Sequence, residues 1–279
     1  MEEAPRALWG AKSAPAVGIE SSNPPSFAKN NKMPKSVRDR IAEESAGNYD
    51  SIAVVTTHRA WGTASNPVLV TCSDGEQYVI KGSQNGKMVY NEYVCGRLGN
   101  LLLAPVAWVR FVSINPALKA TGPLARFGDG LALGSLRVPS SSERAGVQNV
   151  DVPQNRAGFA GLTILYSWVR ANDHQLIYEE VPPGLVTSAD HGHFFPNGPH
   201  WSAASLQAEP DVLRDPYFSP CNLVVADFVP FWTVLGAITD DEIVKITSAP
   251  PSNWGVDSVE RTAMAQYLIR RRDKTRQAF

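Results

Sequence analysis

The sequence predicts an α+β fold of two lobes, a small antiparallel β-rich half followed by a larger, mainly helical half. Three observations carry this expectation. Short runs rich in β-branched and aromatic residues crowd between Ser51 and Ile114. The turn between two of them, Ser73-Asp74-Gly75-Glu76, is tight enough to impose hairpin pairing. After Ala157 the apolar residues come in stretches of helical length and spacing.

The elements follow in order. Residues 1–45 read as a flexible arm, since Ala14-Pro15, Asn23-Pro24-Pro25 and Asn30-Asn31 supply breakers without periodicity. Ser36 to Ser45, at its end, has the pattern of a short amphipathic helix. Residues 46–115 form the first lobe. Its strands are Ser51 to Thr57, Val68 to Cys72, Gln77 to Lys81 and Ala107 to Ile114, with a helix from Met88 to Leu98 that Gly99-Asn100 would end. Residues 116–279 form the second lobe. Ala157 to Arg170 reads as a buried helix, and Leu176 to Tyr178 with Gly184 to Thr187 as a short hairpin. Helices are expected near Asp227 to Leu235, Asp240 to Ile246 and Ser258 to Arg272.

Composition narrows the function. The chain has 279 residues, 43% hydrophobic and 19% charged, with a net charge of -1. That gives no basic surplus to hold nucleic acid or an anionic membrane, so neither is expected as a partner. The basic cluster Arg270-Arg271-Arg272 reads as a solvated helix end. Cys72, Cys95 and Cys221 are odd in number and widely spaced, which suits a reducing cytoplasm rather than a disulfide framework. No apolar run approaches the roughly 18 residues of a membrane span.

The residues able to carry chemistry fall in a telling order. Lys81 closes a strand, Glu92 sits on the helix that follows, and Asp190-His191-Gly192 comes much later, after an extended segment. A strand end fixes a lysine that can neutralise phosphate charge, and a helical carboxylate can hold its long side chain. Asp190 offers a hard oxygen for Mg²⁺. Gly62, Thr63, Ala64 and Ser65 lie between the first two strands, where small residues let backbone amides approach a phosphate; no Gly-Lys-Ser/Thr ends the loop, so it is not a Walker A motif. Asp173, directly after the buried helix, can orient the proton of an attacking hydroxyl. Each of these is also a common surface or turn residue, and it is their order that points to ATP-dependent phosphoryl transfer. A transition-metal site on Asp190, His191, His193 and His200 is the rival that the histidine cluster raises, giving a metal-dependent hydrolase.

These residues resemble the compact, standalone bacterial HipA-like kinase domains. Gly62-Thr63, Asn66-Pro67 and Leu69-Val70, followed by Asp74-Gly75-Glu76-Gln77-Tyr78-Val79-Ile80-Lys81, are similar to the family's opening run. Asn91-Glu92 matches its helical Asn-Glu, Tyr166 to His174 its catalytic motif, and Asp190-His191-Gly192 with Phe194-Phe195 its metal motif. Asp240-Asp241, Trp254 and Arg271-Arg272 resemble its C-terminal part, so the likeness runs over about residues 50–275. The resemblance implies a protein-kinase-like fold with ATP between the lobes and Mg²⁺ as cofactors, and a protein serine/threonine or a small molecule as phosphoacceptor. It implies Asp173 as the catalytic aspartate, Lys81 as the phosphate lysine, Glu92 as its partner and Asp190 as metal ligand. It puts the adenine-binding hinge at Val112, Ser113 and Ile114. Two departures stand out. Where the family carries a second metal ligand, an asparagine, this chain has Tyr178, leaving Gln175 as the nearest amide oxygen; and Ser167 replaces an aspartate. They leave open a nucleotide- or partner-binding module without transfer activity.

Overall fold

Apolar residues alternating along short strands build the first half of the chain. The computed structural model describes residues 36–120, 122–209 and 211–279; the rest of the expected arm, residues 1–35, lies outside the described residues. The elements are α1 (Val37–Ser45), β1 (Ile52–Ala60), β2 (Val68–Cys72), β3 (Gln77–Lys81), α2 (Lys87–Leu102), β4 (Val109–Ser113), α3 (Pro116–Lys119), β5 (Ala132–Leu136), β6 (Ser141–Glu143), α4 (Pro153–Val169), β7 (Gln175–Glu179), β8 (Val186–Ala189), α5 (Ala203–Ala208), α6 (Val225–Ala237), α7 (Asp240–Ser248) and α8 (Ser258–Thr275).

The strands of the first half close into a barrel in the order β1-β2-β3-β5-β4. This corrects the expected antiparallel sheet in two respects. The closing pair, β1 with β4, is parallel and joins Ile52 to Val112 and Ala53 to Ser113. The fifth strand, β5, comes from beyond residue 115 and pairs with both β3 and β4. Its sequence, Ala132-Leu133-Gly134-Ser135-Leu136, has few β-branched or aromatic residues, so propensity alone does not announce it. Along β1 the pairing with β2 slips in register twice, between Val54 and Thr56 and between Thr57 and Arg59. Val68, Val70 and Cys72 of β2, Tyr78 and Ile80 of β3, Val112 of β4 and Ala132 of β5 point inward, and Leu124 and Phe127 from the β4–β5 connection join their cluster.

Helix α2 lies against the barrel's outer face, with Phe111 of β4 and Leu133 of β5 in the same apolar cluster as Val89, Tyr93 and Leu98. Gly96 and Gly99 permit the approach: a Cβ on Gly96 would stand 2.8 Å from the Val109 side chain, and one on Gly99 2.7 Å from Val106. Gly99, expected with Asn100 to end the helix, is therefore a packing device inside it, and α2 ends at Leu103 in the left-handed conformation.

The second half is organised around α4, which is apolar nearly all round and buried accordingly. Its last turn leaves carbonyls without intrahelical donors. Arg271 of α8 supplies them, donating through Nε to Trp168 O (2.7 Å) and through Nη2 to Ser167 O (2.7 Å). The basic cluster is thus not simply solvated: Arg271 is 2% exposed. The strands β6, β7 and β8 form a separate antiparallel sheet.

Helix α1 is docked rather than loose. Ile41 is buried, and the Glu44 carboxylate accepts from Tyr93 Oη (2.6 Å) and Arg97 Nε (3.0 Å) of α2, with a second guanidinium contact to its other oxygen. Removing one partner of a buried pair strands the other charge. Glu44→Ala should therefore cost about 3–5 kcal/mol in urea unfolding. A loss below about 1 kcal/mol, the range of exposed pairs, would remove the anchoring role assigned to this contact.

Candidate active site

Three chain segments meet at the ammonium of Lys81. As the last residue of β3, Lys81 sits on the barrel's outer face, paired through its backbone with Leu133. Its Nζ donates to Glu92 Oε2 of α2 and to Asp190 Oδ1, each at 2.6 Å. Asp190 follows β8 directly and takes a positive φ of 55°, which turns the chain out of the strand. Glu92 is held from its other side, because Ser135 Oγ of β5 donates to Oε1 at 2.7 Å.

The three charges differ in exposure. The side chains of Lys81 and Glu92 are 5% and 4% exposed, that of Asp190 41%. Burial by itself would lower the Lys81 pKa, but Glu92 and Asp190, by charge and hydrogen bonding, raise it above the ordinary lysine value. Burial would likewise raise Asp190; the Lys81 ammonium, helped by His191 and His193, holds it below the usual carboxylate range. One ammonium against two carboxylates leaves a negative site whose accessible member is Asp190. Such a donor suits a hard divalent cation, and the neighbouring lysine suits phosphate oxygens.

The loop that follows Asp190 is fastened to α2. Asn91, fully buried, donates through Nδ2 to Gly192 O (2.9 Å) and Phe194 O (3.2 Å), while its Oδ1 accepts from Trp201 Nε1 (2.8 Å). His191 is buried too; its Nε2 pairs with Ser188 Oγ at 2.8 Å, and Ser188 Oγ pairs with Tyr166 Oη at 2.6 Å. Burial pushes the His191 pKa down to about 4, so the ring is neutral at neutral pH. Among the described residues no three His, Cys, Asp or Glu side chains group so as to hold a metal ion, which removes the basis for the four-residue hydrolase site.

Asp173 is exposed and precedes β7 with a positive φ of 54°. Gln175, the first residue of β7, pairs with Ala189, so Asp173, Gln175 and Asp190 share one end of the β7–β8 hairpin. Tyr178 is sealed in the core, where its hydroxyl accepts from Gln148 N at 2.9 Å, and it offers no ligand. Of the small-residue loop, Gly62, Thr63 and Ala64 are exposed and Ser65 is buried. Asn85 Nδ2, in the turn after Lys81, donates to Ser65 O at 3.1 Å and ties the loop to that strand end.

Val112, Ser113 and Ile114, the expected adenine-binding hinge, stand at the end of β4. Val112 points into the barrel, on the face opposite Lys81. Ser113 and Ile114 line a separate cavity of about 500 Å³ with Pro116, Lys119 and residues 129–131. The chain does not cross to the second half there but returns as β5, and the crossing segment is 137–140, between β5 and β6. A strand edge that reads as the end of a sheet was in fact followed by one more strand. Ser135 and Asn91 also escaped functional assignment from sequence. Asn91 had a visible signal in its adjacency to Glu92, whereas Ser135 becomes meaningful only through its pairing with Val79.

A strand lysine held by a helical glutamate beside an Asp-x-Gly turn is the arrangement of a kinase fold, and a solved structure agrees. The proinflammatory kinase CtkA of Helicobacter pylori superposes with a TM-score of 0.52 at 10% identity, covering 80% of this chain and 94% of that one. The chain belongs to the HipA-like kinase family, whose model matches residues 53–192. Looser likeness extends to HipA of Shewanella oneidensis MR-1, solved with HipB and operator DNA (TM-score 0.43, 12% identity, 91% of this chain and 74% of that one). It extends also to the Golgi casein kinase solved with Mn/ADP (TM-score 0.41, 9% identity, 87% and 76%). No curated protein sequence matches the chain.

The lowered Asp190 pKa makes a stability contribution that is present above the unfolded carboxylate pKa and lost as pH falls through the lower folded value. Lys81→Met removes the cause and leaves burial to act alone. An NMR titration of the Asp190 carboxyl should then show its pKa moved upward from the wild-type value. An unmoved titration would mean that Lys81 is not what holds the carboxylate ionised.

Proposed function

We propose that this protein is an ATP- and Mg²⁺-dependent kinase that transfers the γ-phosphate to a hydroxyl, that of a protein serine or threonine. The barrel with α2 and the helical half act as its two lobes. The observation that carries the reading is Lys81 Nζ at 2.6 Å from both Glu92 and Asp190, in a chain of the HipA-like kinase family. Bound Mg²⁺ and ATP would supply the transferable phosphoryl group and the cation that offsets its charge. Lys81 binds phosphate oxygens, and Glu92, steadied by Ser135, keeps the ammonium in place. Asp190 holds the cation through its accessible carboxylate, with Gln175 as the nearest amide on the paired strand. Backbone amides of Gly62 to Ser65 cover the phosphates. Asp173 orients the acceptor hydroxyl and takes its proton. The three cysteines are unpaired, which supports a reducing, cytoplasmic setting; no helix among the described residues is long and apolar enough to cross a membrane.

The burial of Tyr178 favours one rival, a nucleotide-binding protein without transfer activity, because a second metal ligand is lacking at that position. Transfer of radiolabel from ATP separates the two. Asp190→Ala should abolish it, and Asp173→Ala should lower turnover by on the order of 10²–10⁴-fold while leaving ATP-induced thermal stabilisation intact. Undiminished transfer in both variants would sink the assignment. Stabilisation of the wild type by ATP with no phosphorylated product would favour the rival.

A further inference from the structure

Asp173 stands in a backbone conformation that residues with side chains seldom adopt, and its neighbours are both fastened. On one side, Asn172 Nδ2 donates to Phe195 O at 2.9 Å. On the other, His174 Nε2 pairs with Asp215 Oδ2 at 3.2 Å. Asp215 comes from the segment before α6 and is itself fixed at two further points. Its backbone N donates to Ser167 Oγ (2.8 Å), its Oδ1 accepts from Tyr217 N (2.9 Å), and its side chain is only 8% exposed. The His174 ring stacks on Tyr217 with centroids 4.3 Å apart and an interplanar angle of 13°. A second ring contact, with Tyr166 at 5.0 Å, leads through Ser188 to His191, the residue after Asp190, and a third reaches Phe194 at 6.3 Å.

We infer that Asp215 is a positioning residue for phosphoryl transfer: acting through His174, and together with Asn172, it holds the backbone of Asp173 in its left-handed conformation. The inference rests on the kinase reading above and adds to it a residue far along the chain. His174 in this role is a strut, engaged on its ring face by Tyr217 and at Nε2 by Asp215.

The test compares steady-state kinetics of Asp215→Ala, Asp215→Asn and His174→Gln with the wild type. In Asp215→Ala, kcat should fall by on the order of 10²-fold, as expected when a reacting group is misplaced by about 1 Å. KM for ATP should hold, since Asp215 touches none of Lys81, Glu92 and Asp190. Asp215→Asn keeps one acceptor oxygen, for Tyr217 N, and places an amide N–H that can donate to an unprotonated His174 Nε2, so it should recover most of the lost rate. His174→Gln should reproduce the kcat loss, and it covers the case in which Asp215→Ala does not fold. A crystal structure of the impaired variant should show residue 173 leaving positive φ. Wild-type kcat in Asp215→Ala and His174→Gln overturns the inference, as does an equal loss of kcat and ATP affinity. An unchanged backbone at residue 173 overturns it even where turnover is too slow to measure. Full transfer by Asp190→Ala would instead overturn the kinase reading and leave the backbone result to judge Asp215 alone.

Discussion

A buried ammonium has to be answered by negative charge, and in this fold Lys81 is answered from two directions at once. Glu92 reaches it from α2 and Asp190 from the end of β8, so a single side chain joins the barrel, the helix packed on it and the hairpin of the other half. The contact also divides labour. Glu92 is enclosed and cannot leave without stranding the lysine, while Asp190 is half open to solvent and can share its oxygens. The result is a charged site that keeps its shape yet retains one accessible ligand.

Helix α2 is what makes that contact reproducible. Beyond Glu92, it is tied through Lys87 to Trp201 O, through Tyr90 Oη to Thr247 O, through Asn91 to the loop after Asp190, and through Arg97 to Glu44 of α1. Partners thus lie on several sides of the helix, which explains why its polar residues Asn91, Glu92 and Arg97 are as buried as its apolar ones. The two neighbours Asn91 and Glu92 hold the loop and the lysine, respectively, so displacement of one entails displacement of the other.

What could be read from sequence was whatever is encoded locally. Strands β2 and β3 and the turn between them were legible because alternation and Asp74-Gly75 agree, Lys81 and Asp190 because each stands at a recognisable strand end, and Glu92 because it lies on the helix that follows Lys81's strand. Barrel closure was not legible. It depends on β5, a strand of small residues without a propensity signal, and on a parallel pairing that no hairpin announces. Arg271 looked like a surface cation because the carbonyls it serves belong to another helix, Ser167 and Trp168 of α4. Asp215 was invisible for a similar reason, its partner His174 lying 41 residues away.

Closure of the barrel by only two residue pairs has a consequence for how the protein behaves among its neighbours. Past Ala53, β1 pairs among the described residues with β2 alone, and such a border is where a sheet can recruit a strand from another molecule. The two slips in register around Thr56 and Arg59 interrupt the even spacing of amide and carbonyl groups that recruitment requires. His58 and Arg59 add polar side chains on the same stretch. The irregularity of β1 therefore acts as insulation against intermolecular pairing, allowing the strand to run on past the barrel's closure without becoming adhesive.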